Sequence, residues 1–258
     1  MISTIIMDAY TKNEASELAS AVSDLCDPTS SSEWSSAGIY SFWDYYTKEI
    51  LYIGLAVDLG MRFKQHNGII KVKPSSCKKK QIDEYFNHKD KLGYTIFTQS
   101  SLSQPVTCKN QELYSQFIGE LDQSSSKLRV DRKDIEDAEA ILLEIYRQVH
   151  SSLPKWNKIR GLATNIQTVT PGNYELIKCI NTLEPNPLVS KSTIRELCEH
   201  EYYCFYEIQL HAIRWNMLYL GVTWEESLKI LKQQVGEFFV KIYDEMQSKG
   251  YLKKEINL

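Results

Sequence analysis

The chain has 258 residues, of which 43% are hydrophobic and 24% are charged, a composition typical of a globular protein that buries a sizeable core. Its 30 lysines and arginines against 33 aspartates and glutamates give a formal net charge of -3, which excludes a uniformly basic protein that coats nucleic acid. Any site for a polyanion must therefore be a local basic patch.

Three features bear on the cellular compartment. The six cysteines are scattered without a C-x-x-C pair, a pattern typical of reduced thiols. The apolar run at residues 2–7 is short, lacks a basic leader and is followed by Asp8, so it does not resemble a secretory signal. No stretch approaches the length of a membrane span. We therefore expect a cytoplasmic protein that does not contact a membrane.

The first predicted element is a helix across residues 10–26, where Leu18, Val22 and Leu25 recur at helical spacing. The Asp-Pro pair and the serines that follow it end this segment. This pattern predicts a helical extension over residues 1–33.

The next elements favour a small sheet. Aromatic and β-branched residues between 38 and 52 predict two strands joined by a turn at 44–48, which together form a hairpin. A helix is expected at 58–66 and another at 81–88. Residues 93–98 again favour a strand, so the sheet is predicted to have three strands.

Helices dominate the rest of the chain. Residues 99–126 are rich in Ser, Gln and Pro and are predicted to be an insertion that carries a short helix at 111–121. A firm helix is expected across 132–149. Long helical patterns at 192–220 and 223–249 predict an antiparallel helical hairpin.

These elements predict an α+β fold with a small antiparallel three-stranded sheet, flanking helices and a helical C-terminal region. The sheet and its helices would form one domain over residues 34–170. The helical C-terminal region would occupy residues 171–258, and its apolar and aromatic content predicts a surface for a second copy of the chain or for a protein partner.

Two tripeptides lie on the predicted hairpin, Gly38-Ile39-Tyr40 and Tyr52-Ile53-Gly54, and their order and separation resemble the signature of the GIY-YIG nuclease superfamily. The segment after Gly54 resembles the family's passage from the second strand into the first helix, where an arginine is expected, and Arg62 is at that position. His66 follows Arg62 by one helical turn, as in the restriction-enzyme and homing-endonuclease branches; the repair-nuclease branch commonly lacks it.

A second region extends the resemblance. Residues 139–144 and the turn at 153–157 resemble the family's helix with a metal-binding glutamate and the Pro-x-x-Asn turn that follows it. The resemblance covers about residues 37–160 and is closest in pattern to the GIY-YIG restriction endonucleases. It implies a GIY-YIG-like fold and an endonuclease that hydrolyses phosphodiester bonds in DNA with Mg²⁺ or Mn²⁺.

The resemblance also implies catalytic roles. Tyr40 is the candidate base, since a divalent ion and an arginine would both favour its phenolate. Tyr52 would orient the water or the phosphate, and Arg62 would donate its planar fork of N–H groups to phosphate oxygens. His66 would accept a proton from Tyr40 or contact the phosphate. Glu144 would hold the metal.

Three further residues are expected to shape the site. Gly38 and Gly54 leave room for close backbone approach at the strand ends. Asn157 is assigned a structural or phosphate-positioning role by the resemblance.

The choice of Glu144 over Glu139 rests on helical geometry. The two are five residues apart, or about 140° around the helix axis, so both are not expected to point into one site. The distance of Glu144 from Asn157 is what the resemblance leads one to expect of the metal ligand. Glu144 is therefore predicted to face the hairpin, and Glu139 to be a solvated charge.

Basic residues concentrate beside the proposed site. Such runs are most often solvated loops, but next to a nuclease signature they are candidates for contact with the DNA backbone. The candidates are Lys64, Lys71, Lys73, Lys78, Lys79, Lys80, Lys155, Lys158 and Arg160.

The function predicted first is DNA restriction or another defence against phage. A homing or repair nuclease of the same superfamily is the alternative within the enzyme class. A nucleic-acid-binding or partner-binding protein that keeps the fold is the alternative outside it. Cys198, His200, Cys204 and His211 lack the spacing of a zinc site and are predicted to be ordinary core or surface residues.

Overall fold

The computed structural model of the protein describes residues 2–27, 34–73, 77–99, 126–158 and 171–258. Four strands form one antiparallel sheet in the order β1-β4-β2-β3, and the fold is α+β. The strands are β1 (Ile2–Thr11), β2 (Gly38–Asp44), β3 (Ile50–Ala56) and β4 (Lys91–Gln99).

Nine α-helices are present in the described part of the chain. They are α1 (Ala15–Leu25), α2 (Leu59–His66), α3 (Lys79–Phe86), α4 (Ser126–His150), α5 (Pro171–Lys178), α6 (Ile194–Glu199), α7 (Glu201–Leu220), α8 (Trp224–Gln234) and α9 (Glu237–Ser248). Within the described ranges, none of these helices is both long and apolar enough to cross a membrane.

The N-terminal segment corrects the prediction of a three-stranded sheet. β1 pairs with β4 along its length, from Ile2 opposite Gln99 to Thr11 opposite Lys91. Because both faces of this strand are buried, its apolar residues form a near-continuous run and lack the alternation that identifies a half-buried strand. The N-terminal helix begins only at Ala15, so residues 1–33 are not a helical extension.

The helical hairpin predicted near the C-terminus is also wrong in detail, since two breaks divide it into four helices. His200 adopts an extended conformation between α6 and α7, and Gly236 separates α8 from α9 with φ +75°. The turn between α7 and α8 agrees with the sequence. There, Gly221 ends α7 in the left-handed region, and Thr223 forms the predicted capping box with Glu226.

Hydrophobic clusters cover both faces of the sheet. On one face, Tyr40 and Phe42 pack with residues of α1 and α2. On the other face, Ile39 and Trp43 pack with residues of α4. Alternate residues of β2 therefore serve two cores. The predicted helix at 111–121 and Arg160 lie outside the described residues, as does most of the predicted insertion.

The C-terminal helices are joined to the outer edge of the sheet. The backbone of Ile5 on β1 bonds to Leu188 and Ser190, which precede α6. The Arg214 guanidinium on α7 lies 2.6 Å from the Glu207 carboxylate, and both side chains are almost completely buried. Polar and backbone contacts thus hold this helical region against β1.

Candidate active site

The hairpin brings two phenols side by side. In the β2–β3 register, Tyr40 lies opposite Gly54 and Phe42 lies opposite Tyr52, so the tyrosines are diagonal neighbours on one face. Their ring centroids are 5.6 Å apart. A Cβ on Gly54 would be 2.6 Å from the Tyr52 ring, so only glycine lets that ring lie across the strand beside Tyr40. Gly38 is equally constrained, since its Cβ would be 2.4 Å from the carbonyl oxygen of Phe97.

His66 is the last residue of α2 and contacts Tyr40. Its Nε2 is 2.6 Å from the Tyr40 hydroxyl, and its Nδ1 accepts a hydrogen bond of 2.8 Å from the backbone N–H of Lys78. The side chain is 1% exposed, so contact with a phosphate, one of its two expected roles, is excluded in this conformation. Burial, followed by the charges of Arg62 and Lys78, lowers the pKa of His66 to about 3.

Arg62 lies one turn before His66 on α2. The predicted helix and its cap are confirmed, because the Asp58 carboxylate accepts a 2.8 Å hydrogen bond from the N–H of Met61. The Arg62 guanidinium is half-buried, donates to the side-chain oxygen of Gln65 at 3.2 Å, and its charge acts on the Tyr40 hydroxyl. The helix therefore directs Arg62 and His66 to the same phenol, as their spacing predicts.

Burial governs the titration of both phenols. It raises the pKa of Tyr40 well above the ordinary value, Tyr52 adds to this, and Arg62 opposes it. Burial also raises the pKa of Tyr52, although the hydrogen bond from Tyr40 and the charge of Arg62 act in the opposite direction. Both tyrosines are therefore neutral in the resting protein.

Glu139 on α4 is a carboxylate whose charge acts on Tyr52 and Arg62 of this cluster, and the backbone N–H of Leu55 on the edge strand β3 lowers its pKa. Burial raises the pKa of Glu139 to about 7, against the lowering effects of the Leu55 bond and of Arg62. It is half-buried, so the expectation of a solvated charge is wrong.

Glu144 is engaged elsewhere. Its carboxylate pairs with Arg147 at 2.5 and 2.9 Å and with Gln148 at 3.1 Å, all on α4 itself. These three bonds do not join Glu144 to the hairpin, which was its expected direction. The face of α4 that follows β3 carries Glu139 at Leu55 and, seven residues later, Tyr146 at the carbonyl of Ile50.

A signal for this placement was present in the sequence. Glu139 is four residues after Ile135 and four before Leu143, and both of these are buried. A carboxylate between apolar residues at that spacing lies on the buried side of a helix. The resemblance, which relied on the distance to Asn157, favoured Glu144, whereas the charge of Glu139 is the one that acts on Tyr52 and Arg62.

Asn157 bonds to the open edge of β3. Its side-chain oxygen accepts from the N–H of Ile53 at 3.0 Å, and its amide nitrogen donates to the carbonyl of Ile53 at 2.7 Å. The N–H of Trp156 donates to the carbonyl of Leu51 at 2.8 Å. These bonds cover the edge strand that carries Tyr52 and give Asn157 the structural role among its expected roles.

The candidate DNA-binding lysines fall into two groups. Lys78 lies 4.6 Å from the centroid of the Tyr52 ring and donates to the carbonyl of Trp156 at 2.7 Å. Burial lowers the pKa of Lys78, and the positive charges of Lys158 and Arg62 lower it further. The remaining candidates lie at the surface around this point, with Lys64 half-buried and Lys71, Lys73, Lys79, Lys80 and Lys155 exposed.

One basic candidate is paired. The Lys79 ammonium contacts the Asp83 carboxylate one turn later on α3 at 2.5 Å. Acidic residues of α3 thus reach into a surface that looks purely basic between residues 64 and 80. We expect Lys79 to contribute less to binding of a polyanion than the other exposed lysines.

The donor set suits a hard divalent cation. Mg²⁺ prefers carboxylate oxygen and needs only one or two protein carboxylates when substrate phosphate and water complete its coordination. Glu139 offers such an oxygen beside the phenols. No group of three or more His, Cys, Asp or Glu side chains is arranged to hold a metal in the part of the chain that the structure describes.

Comparisons with protein-family models, with curated proteins and with solved structures find no match to this chain.

Proposed function

We propose that the protein is a metal-dependent endonuclease of the GIY-YIG type that hydrolyses phosphodiester bonds in DNA. The observation that carries this proposal is that His66, Arg62 and Tyr52 gather around the Tyr40 hydroxyl, while the charge of Glu139 acts on the neighbouring Tyr52. They come from a hairpin, one helix end and a second helix far along the chain. Packing alone gives no reason to gather a base, a fork of donors and a carboxylate at one point.

Tyr40 would remove the proton from the attacking water. As a phenolate it is a strong base at neutral pH, but its burial keeps it protonated until positive charge or hydrogen-bond donors favour the ionised form. Arg62 already acts in that direction. Tyr52, whose ring lies beside that of Tyr40, would hold the water or the phosphate next to the base.

Arg62 and the metal would stabilise the charge that develops on the phosphate. The guanidinium fork can donate to two phosphate oxygens at once, which an ammonium group cannot do. Mg²⁺ or Mn²⁺ bound at Glu139 would supply Lewis-acid stabilisation of the phosphate and of the leaving oxygen. A carboxyl whose pKa is about 7 in the metal-free protein would ionise readily once a divalent cation is bound.

DNA would approach over the basic surface. Lys78 lies over Tyr52 and Lys158 acts on Lys78, and these lysines together with the exposed ones would neutralise backbone phosphates on either side of the scissile bond. Because the chain as a whole is slightly acidic, this attraction would be confined to the site.

The Tyr40–His66 contact favours restriction or anti-phage defence over repair within this class. The repair branch of the superfamily that the sequence resembles commonly lacks a histidine at this position, whereas here His66 bonds to the proposed base. A homing endonuclease remains the alternative with the same histidine.

The experiment incubates the protein with long DNAs that together contain all short recognition sequences, and in parallel with RNA. Each substrate is tested with Mg²⁺ and with EDTA, and the ends of the products are sequenced. We expect cleavage of DNA only with Mg²⁺. Tyr40→Phe should reduce the rate by about 10²–10⁴-fold, the contribution typical of a general base. The fold should persist, since only a hydroxyl is removed.

Tyr94→Phe is the matched control. Tyr94 lies in the same core, with its ring centroid 6.2 Å from that of Tyr40, and its hydroxyl has no hydrogen-bond partner among the described residues. This variant should cleave like the wild type. Normal cleavage by Tyr40→Phe would remove Tyr40 as the base. DNA binding without cleavage under any condition would favour the nucleic-acid-binding alternative.

A further inference from the structure

His66 is held at both ring nitrogens by groups of different chemistry. Nδ1 faces the backbone N–H of Lys78 at 2.8 Å, and Nε2 faces the Tyr40 hydroxyl at 2.6 Å. Turning the ring by 180° about the Cβ–Cγ bond would bring ring carbons to both positions, so the two short contacts define its orientation. The side chain is 1% exposed, so both contacts lie inside the protein.

The two partners differ in what they can do. A backbone N–H only donates, so Nδ1 must be an unprotonated acceptor. A neutral imidazole then carries its proton on Nε2, which points at Tyr40. The alternative with a proton on both nitrogens would direct two N–H groups at each other at Lys78 and add a positive charge beside Arg62 and Lys78.

We propose that His66 is a fixed hydrogen-bond donor to Tyr40, with its tautomer set by the backbone amide of Lys78, and that it is a positioning residue that does not accept the proton of Tyr40. The expectation that it takes this proton is thereby reversed. The catalytic meaning of this assignment rests on the proposed nuclease function, whereas the tautomer itself does not.

As a donor, His66 affects the ionisation of Tyr40. Its Nε2–H points at the Tyr40 oxygen at 2.6 Å, and the positive charge of Arg62 also acts on that hydroxyl. Hydrogen bonds donated to an oxygen favour its ionised form. His66 would therefore stabilise the phenolate of Tyr40 as a neutral donor, without adding charge to a site that already contains Arg62 and Lys78.

The direct test is NMR of the metal-free full chain labelled with ¹⁵N-histidine, using long-range ¹H–¹⁵N correlations near pH 7. The chain has five histidines, and the signals missing from a His66→Gln spectrum identify His66. We expect a protonated Nε2 and an unprotonated Nδ1. A proton on Nδ1, or averaging between two tautomers, would overturn the proposal.

Lys78→Ala is the control for the role of the amide. It removes the side chain that lies over Tyr52 but keeps the backbone N–H, so the tautomer of His66 should not change. If the tautomer changes in this variant, the side chain and not the amide determines it.

Cleavage by two His66 variants then separates a donor from an acceptor. Glutamine keeps an N–H donor near the position of Nε2 but cannot take up a proton, whereas leucine does neither. We expect His66→Gln to remain within about tenfold of the wild type and His66→Leu to lose about 10²–10³-fold, as for removal of one donor that stabilises an anion. Equal loss in both variants would contradict the donor role. If no cleavage is found for the wild type, the nuclease proposal fails and the NMR result stands by itself.

Discussion

Two buried histidines, His66 and His211, lie in different parts of the molecule and have similarly lowered pKa values. Burial, followed by neighbouring positive charge, lowers the pKa of His66 and of His211 to about 3. His66 is held by a backbone amide, which fixes its tautomer. His211 on α7 contacts the hydroxyls of Ser3 and Thr4 at 2.9 and 2.8 Å, and hydroxyls can donate or accept, so they fit either tautomer.

The surroundings of the two histidines differ more than their pKa values. Beside His211, Arg214 bonds to Glu207 and to the carbonyls of Pro187 and Val189. Glu207 also accepts from the Tyr251 hydroxyl and the N–H of Lys191, so these buried charges are well paired. A lowered histidine pKa therefore does not by itself identify a functional site.

The cluster around His66 has a different character. Arg62 and Glu139 are half-buried at the edge of this cluster, and burial raises the pKa of the Glu139 carboxyl. Groups in that state can still bind a ligand. The comparison thus predicts that changes near His66 affect activity and that changes near His211 affect stability.

The largest effect is expected from Glu139→Gln. Removing the carboxylate charge should abolish Mg²⁺-dependent cleavage, with a loss of at least about 10³-fold, because the metal loses its protein ligand. DNA binding in EDTA should persist, and the free energy of unfolding should not fall, since a charge with a raised pKa is removed from a buried position. Cleavage rates and urea unfolding measure the two quantities.

Glu144→Gln is the matched control on the same helix. Its carboxylate pairs with Arg147 near the surface, so the variant should cleave like the wild type. If Glu144→Gln is inactive and Glu139→Gln is active, the orientation of α4 in the site is not the catalytic one.

A smaller effect, and one on stability, is expected from Arg214→Met. The substitution leaves Glu207 as an unpaired buried charge, which costs about 3–5 kcal/mol of the free energy of unfolding. Replacing Glu207 by leucine as well should recover much of this loss. Urea unfolding measures both, and cleavage well below the melting temperature should be normal. Reduced cleavage by a fully folded Arg214→Met protein would break the comparison, because this region would then act on the site.

The smallest expected effect is a loss of the free energy of unfolding on acidification, to which both histidines contribute. The unfolded chain, with a histidine pKa of 6.5, binds more protons than the folded one, with a pKa of about 3, so stability falls as the pH falls through this window. Each histidine should cost about 2 kcal/mol between pH 7 and pH 5. Above about pH 6.5 this stability is fully present.

Urea unfolding at the two pH values tests this expectation in three proteins. His66→Gln and His211→Gln should each lose less stability on acidification than the wild type does. An unchanged loss in either variant would show that its histidine is not buried as a neutral group, and the two sites would no longer be thermodynamically alike.

The amino-acid sequence by itself determined the short-range part of the site. A hairpin places Tyr40 and Tyr52 on one face because side chains alternate along paired strands, and Gly54 leaves room for the second ring. One helical turn places Arg62 and His66 on the same side of α2. These relations span fewer than thirty residues and depend only on local geometry.

The tertiary structure decided every relation between distant segments. Helical periodicity predicts that Glu139 and Glu144 lie on different faces of α4. Only the packing of α4 along β3 decides which of these faces meets the hairpin. The bond between His66 Nδ1 and the backbone of Lys78, and the pairing of β1 with β4, could not be predicted from the local sequence either. Local sequence determines the conformation of a segment and the relative directions of its side chains, whereas its rotation and neighbours depend on burial shared with segments far away in the chain.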